Sequence, residues 1–165
     1  MIEKPYLDGN EYEGEMDNGK PHGKGTMLLK DGGRYVGSWQ NGLMHGVGVL
    51  SWENGAVLAV EWAEGEPNGM GTLKTADGDI FVGEFCGTKL NGKGVISFSD
   101  GRKYIGELKN SIMHGYGVLI GTEGNRIEGQ WNNGEVTGWG TVISVKGNVI
   151  SGFWENGKFV GGDDG

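Results

Sequence analysis

The chain has 165 residues, of which 36 are glycine, about three times the usual frequency, and a formal net charge of −8. No Gly-X-Y triplet runs through it, which excludes collagen, and six Trp, five Tyr and five Phe are too many buriable rings for a chain that stays unfolded. Its 14 Lys and Arg residues are scattered among 22 Asp and Glu with no run of bases, which argues against nucleic acid and disfavours an anionic membrane as partners.

Residues 1–165 read as one domain, beginning with a partial unit over residues 1–11. The first predicted strand is Tyr12-Glu13-Gly14-Glu15-Met16. Large, glycine, large at alternate positions is a period of two, so those three share one face while the glutamates look the other way. A connection, Asn18-Gly19-Lys20-Pro21-His22, leads to Gly23 and Gly25, and a second strand follows over residues 26–29. Asp31-Gly32 then supplies a hairpin-type turn. The next unit opens at Tyr35, and the register holds at 23 residues through six full units over 12–149, with a partial seventh over 150–165.

Aligned in this register, the glycines fall into columns. One holds Gly23, Gly46, Gly69, Gly92, Gly115, Gly138 and Gly161 without exception, and another, through Gly14 and Gly37, breaks only at Val60. The first strands align Tyr12, Tyr35, Leu58, Phe81, Tyr104, Ile127 and Ile150, and four residues on Met16, Trp39, Trp62, Phe85, Leu108, Trp131 and Trp154. The second strands align an apolar column (Met27, Leu50, Leu73, Ile96, Leu119, Val142) behind one that is β-branched throughout. The prediction is an all-β fold, an elongated single-layer antiparallel sheet of stacked 23-residue hairpins with about thirteen strands. Almost no helix is expected, since no 3.6-residue period survives the glycines. A lone hairpin is marginal in water, so each unit needs its neighbour to cover its apolar face. Residues 1–8 and the glycine-aspartate tail after Phe159 are expected to cap the sheet ends in part.

The unit Tyr35-Val-Gly-Ser-Trp-Gln-Asn-Gly-Leu-Met-His-Gly-Val-Gly resembles the MORN repeat, and the resemblance covers nearly the whole chain. Departures are Leu58 and Val60 in the third unit, Thr88 and Ser111 at the turn glycine, and Ile127 and Ile150 at the tyrosine. The resemblance implies an elongated single-layer sheet acting as a scaffold or dimerising module, with links in some members to membranes and phosphoinositides.

His22, His45 and His114 share one column, but equivalent atoms in successive hairpins lie two strand spacings apart, roughly 10 Å, too far to share an ion. They read as turn residues. Gly-x-Gly recurs without a third glycine before a helix, no Gly-Lys is followed by Ser or Thr, and there is no Gly-x-Ser-x-Gly. No catalytic residue, metal or cofactor is expected. The acidic column (Glu15, Glu61, Glu84, Glu107) reads as a solvated face. Tyr116 and Trp139, off the stripe between paired glycines, suit a rim contact or local packing equally. Trp52 packs, and the single Cys86, which permits no internal disulfide, is incidental.

The aromatic stripe is the candidate site. A single-layer sheet has no second layer to cover it, so part should remain as an exposed concave groove. The candidate groove residues are Tyr12, Tyr35, Trp39, Trp62, Phe81, Phe85, Tyr104, Trp131 and Trp154. The expected function is a non-catalytic scaffold that binds a protein partner (an extended segment or a helix) or a second copy of the chain there. The alternative is a peripheral membrane module for phosphoinositide head groups. Choline-binding repeats are a poorer match in spacing. With no signal-like N-terminus, the cytoplasm is the expected location.

Overall fold

The computed structural model describes residues 6–7 and 9–162. These form strands β1 (Tyr6–Leu7), β2 (Asn10–Asp17), β3 (Lys20–Leu28), β4 (Arg34–Gln40), β5 (Leu43–Ser51), β6 (Val57–Ala63), β7 (Glu66–Lys74), β8 (Ile80–Cys86), β9 (Lys89–Ser97), β10 (Lys103–Lys109), β11 (Ile112–Ile120), β12 (Arg126–Asn132), β13 (Glu135–Ile143), β14 (Val149–Glu155) and β15 (Lys158–Gly161). The described residues contain no helix, and each strand neighbours the next in a single open sheet. Packing divides the chain into one compact unit of Met1–Gly78 with Phe85–Thr88 and another of Asp79–Glu84 with Lys89–Gly165. The fifteen strands exceed the expected thirteen because both partial units contribute, β1 pairing with β2 and β15 with β14. Of the expected end caps, residues 1–5, 8 and 163–165 lie outside the described residues.

Two turns alternate. Asn41-Gly42 joins β4 to β5 with both residues left-handed, φ +52° and +89°, the geometry of a two-residue type I′ hairpin. Asn110-Ser111 keeps it without glycine, at φ +53° and +66°. Ser111 earns its place by accepting the Leu90 N–H on its hydroxyl at 2.9 Å. At Gly87-Thr88 only the first residue is left-handed, φ +61°, which suits the type II′ form instead. The Asp-Gly turns are three-residue loops. The Phe98 N–H donates to Arg102 O at 2.9 Å, the Gly101 N–H to Phe98 O at 3.0 Å, and Asp100 Oδ1 accepts the Arg102 N–H at 3.0 Å.

Because the Asn-Gly turn needs only two residues, the next strand begins at once. Lys20 pairs with Asp17 and Pro21 with Met16. Residues 20–22, expected within the connection Asn18–His22, are therefore strand, and so are His45 and His114, expected like His22 in turns.

The register slips in the hairpins β2–β3, β4–β5, β6–β7, β10–β11, β12–β13 and β14–β15. In β4–β5, Gly37 faces Gly48, yet Ser38 faces His45, leaving Gly46 and Val47 as the excess. Gly46 is left-handed at φ +61°, as are its column mates Gly23 at +64° and Gly115 at +59°. A β-bulge of this kind places a side-chain-bearing residue in a conformation that costs about 1–2 kcal/mol. The uninterrupted glycine column is thus the bulge column.

The tyrosines lie over the other glycines. A Cβ added to Gly37 would stand 2.7 Å from Tyr35 Cζ and 2.6 Å from Gly48 Cα, and one on Gly48 would stand 2.5 Å from Tyr35 Cε2. The ring occupies the space two side chains would fill. Where the third unit has Leu58 instead of tyrosine, Val60 replaces the glycine and fills that space itself, both residues being buried.

Candidate functional site

Of the nine candidate groove residues, seven are in the core. Tyr12, Tyr35, Trp39, Trp62, Phe85, Tyr104 and Trp131 are each at most 5% exposed. Phe81 and Trp154 are half-buried. The expectation of an exposed aromatic groove is corrected for those seven, and the reason is mutual cover. Tyr35 meets its own hairpin's Trp39 edge-on at 5.1 Å between centroids and the next hairpin's Trp62 at 5.2 Å, while Trp39 also meets Tyr12 at 5.2 Å. In the second unit, Tyr104 and Trp131 repeat the contact at 5.6 Å.

The polar tips are satisfied within the fold. Indole N–H groups donate across 14 residues to glycine carbonyls: Trp39 to Gly25 at 3.3 Å, Trp62 to Gly48 at 3.3 Å and Trp131 to Gly117 at 3.0 Å. The tyrosine hydroxyls donate to the carbonyl three residues on, at the bulge: Tyr12 to Glu15 at 2.8 Å, Tyr35 to Ser38 at 3.1 Å and Tyr104 to Glu107 at 2.9 Å. Burial disfavours the phenolate and pushes the Tyr35 and Tyr104 hydroxyls up to about 12.

One core column escaped the sequence reading. Pro21, Met44, Pro67, Leu90, Met113, Val136 and Phe159 repeat at 23 residues and are all apolar. They pair across the hairpins with the Trp column, as in Trp39↔Met44, Trp62↔Pro67 and Trp131↔Val136. Pro21, Pro67, Leu90 and Val136 are buried. The column keeps the 23-residue period, but its first member, Pro21, falls within the expected connection Asn18–His22.

The surface the sheet offers is the opposite face. In the first unit Val36, Val49 and Ala59 stand directly across one another on β4, β5 and β6, all exposed. Val47 and Met70, on the same face two residues along β5 and β7, are 67% and 64% exposed. Glu13, Glu15 and Glu61 stand among them by the same alternation. The second unit carries its own exposed rings, Trp139 facing Phe153 across β13–β14, with Tyr116 on β11. The acidic column has a local task as well as a solvated position: Glu15 Oε1 accepts the Lys24 N–H at 2.9 Å, closing the bulge.

Among the described residues, no group of three or more His, Cys, Asp or Glu side chains is placed to hold a metal ion. His22 and His114 contribute backbone carbonyls to Tyr12 and Tyr104, at 3.4 and 3.3 Å. Depressions on the exposed face are shallow, such as one of about 420 Å³ beside Glu13, Lys24, Thr26 and Val36.

Comparison with known proteins agrees with this repeat geometry. No curated protein matches the chain. One solved structure that resembles it is the TCP domain of SAS-4 (dCPAP) of Drosophila melanogaster, in complex with a proline-rich motif of Ana2 (dSTIL). It is 11% identical over 80% of this chain and 84% of that one, with a TM-score of 0.38, too remote to bear on this chain's partner. The MORN repeat family model matches five times, over residues 12–34, 35–57, 61–80, 81–101 and 104–126. The third match starts late, beyond Leu58 and Val60, where the tyrosine–glycine pairing is replaced. With most of its length matched in register, the chain belongs to the MORN repeat family.

Proposed function

We propose that the chain is a non-catalytic interaction module that binds a protein partner through the sheet face opposite its aromatic core. The observation that carries this reading is the division of labour between faces. The tyrosine–tryptophan stripe is consumed in holding hairpins together, while the other face leaves Val36, Val47, Val49 and Met70 in water. Exposed apolar side chains grouped on one face and rimmed by charge are a mark of interaction surfaces. Family membership fits, since a repeat array without a convergent polar site offers surface rather than chemistry.

The test is affinity capture from the cells that make the protein, using the native chain and a Val36→Glu/Val49→Glu variant. Both substitutions leave the aromatic core untouched. A protein retained by the native chain and lost with the variant is the expected result. Retention of nothing, or of the same proteins by both, would overturn the reading.

A further inference from the structure

Seven asparagines in this chain precede a glycine, and their surroundings in the fold differ. We infer that Asn18 is a modification site, the asparagine left open to spontaneous deamidation while its counterparts in the later hairpins are protected.

The chemistry needs only water. The Gly19 nitrogen attacks Asn18 Cγ and gives up its proton. The new N–Cγ bond closes a cyclic imide, the Cγ–Nδ2 bond breaks, and ammonia leaves. Water then cleaves one acyl C–N bond of the imide. Cleavage at Cγ gives aspartate, and cleavage at the main-chain carbonyl gives isoaspartate, with the chain rerouted through the side chain.

The turn must open before the ring can close. Asn18 and Gly19 are both left-handed, φ +47° and +75°, and the glycine nitrogen has to swing out of that turn to reach Cγ. Asn41-Gly42, Asn133-Gly134 and Asn156-Gly157 start from the same left-handed pair. What differs is what holds each turn shut. The Gly42 N–H donates to Pro21 O at 2.9 Å, the Gly134 N–H to Met113 O at 3.0 Å and the Gly157 N–H to Val136 O at 3.0 Å, so the nucleophile is occupied in all three. A Cβ added to these glycines would stand 3.8 Å from Lys20 Cβ, 3.8 Å from Ile112 Cγ2 and 3.9 Å from Glu135 Cβ, so each turn also rests on the hairpin before it.

Gly19 has neither support. Among the described residues its N–H has no acceptor, and nothing lies within 4 Å of a Cβ added there. Strand β1 covers β2 only at Asn10 and Glu11, the far end from this turn. Asn18 and Gly19 are both exposed, and the asparagine keeps one surface bond, from Nδ2 to Asp17 Oδ1 at 3.2 Å. Local opening is easiest where the fewest bonds break. The remaining pairs are held in other ways. The Gly55 N–H donates to Trp52 O at 3.0 Å while Asn54 Oδ1 accepts the Ala56 N–H at 3.0 Å. Asn68 and Asn91 lie within β7 and β9, and Asn91 Oδ1 accepts the Asn110 N–H at 3.0 Å. Isoaspartate at position 18 would lengthen the main chain of a turn whose two residues set the Asp17↔Lys20 register.

The full chain is incubated at mildly alkaline pH, native and in urea, and peptide mass spectrometry gives the conversion rate at each Asn-Gly. In the native protein Asn18 should convert about three- to ten-fold faster than Asn41, Asn133 or Asn156, the factor that corresponds to one net backbone hydrogen bond. In urea, where all four are the same unfolded dipeptide, the ratio should fall towards one. A native rate at Asn41, Asn133 or Asn156 equal to that at Asn18 would overturn the inference. So would an unchanged ratio in urea, or an Asn18 that survives native incubation while the urea sample converts.

Discussion

The third repeat is a natural experiment on the tyrosine–glycine pairing, and it can be transplanted. Gly37→Val alone puts a side chain where the Tyr35 ring lies, with Cβ 2.7 Å from Cζ. The backbone opposite must shift as well, since that Cβ would stand 2.6 Å from Gly48 Cα, whereas the third unit already seats Val60 across from Gly71. The ring must leave, abandoning its cover and its edge contacts to Trp39 and Trp62. That loss should cost about 3–5 kcal/mol, the range for deleting a buried aromatic. Tyr35→Leu alone leaves a void and frees the Ser38 carbonyl, for about 2–4 kcal/mol. The double variant recreates the Leu58–Val60 arrangement, in which valine fills the void. Moving the backbone away from the new valine should leave it about 1–2 kcal/mol worse than Tyr35→Leu, giving a favourable coupling of about 2–3 kcal/mol. Urea titration of the four proteins, followed by circular dichroism, measures the cycle. Additive effects within about 0.5 kcal/mol would refute the claim that ring and glycine share one space.

Raising the pH should unfold the protein between about 10 and 12. Tyr35 and Tyr104 are raised to about 12 in the fold, so the stability they contribute is complete below the unfolded value near 10 and is lost as pH climbs towards 12. Their tyrosinate absorbance should appear together with loss of the strand dichroism. Glu64 occupies a left-handed turn position at φ +52° where Asn41 and Asn133 stand in other units, so Glu64→Asn should stabilise by about 0.5–1 kcal/mol in thermal melts. Trp131→Phe removes the bond to the Gly117 carbonyl and should cost about 1 kcal/mol more than Trp154→Phe, whose indole N–H has no partner, as read by urea titration.

The strands, the turns and the repeat length were legible because each leaves a period. Tyr-x-Gly-x-Trp alternates at two, and Asn-Gly and Asp-Gly punctuate it. The bulge was not legible. Gly46 stood in the most complete column of all, but a column reports that a side chain is forbidden, not whether a turn, a ring or a bulge forbids it. That ambiguity hid the true start of β3, β7 and β9 and, with it, the core positions Pro21, Pro67 and Leu90. The site was misjudged for a related reason. A single layer suggested an uncovered stripe, whereas the glycines let the Tyr35 ring lie against the backbone and Trp39 and Trp62 close over it edge-on. The Val49 column is legible as β-branched throughout, but the column of Val36 and Ala59 mixes Val82 and Ile105 with Glu13, Glu128 and Ser151, so nothing uniform announces an exposed apolar row.

The account turns on which face of the sheet meets water, and hydroxyl-radical footprinting with mass spectrometry reads this residue by residue. Met70, Tyr116, Trp139 and Phe153 should be oxidised readily in the native protein. Tyr35, Tyr104, Trp39, Trp62 and Trp131 should be protected until urea unfolds the chain. Native-state oxidation of Trp39, Trp62 and Trp131 at the rate of Trp139 would show the stripe to be an open groove and contradict the assignment of the faces.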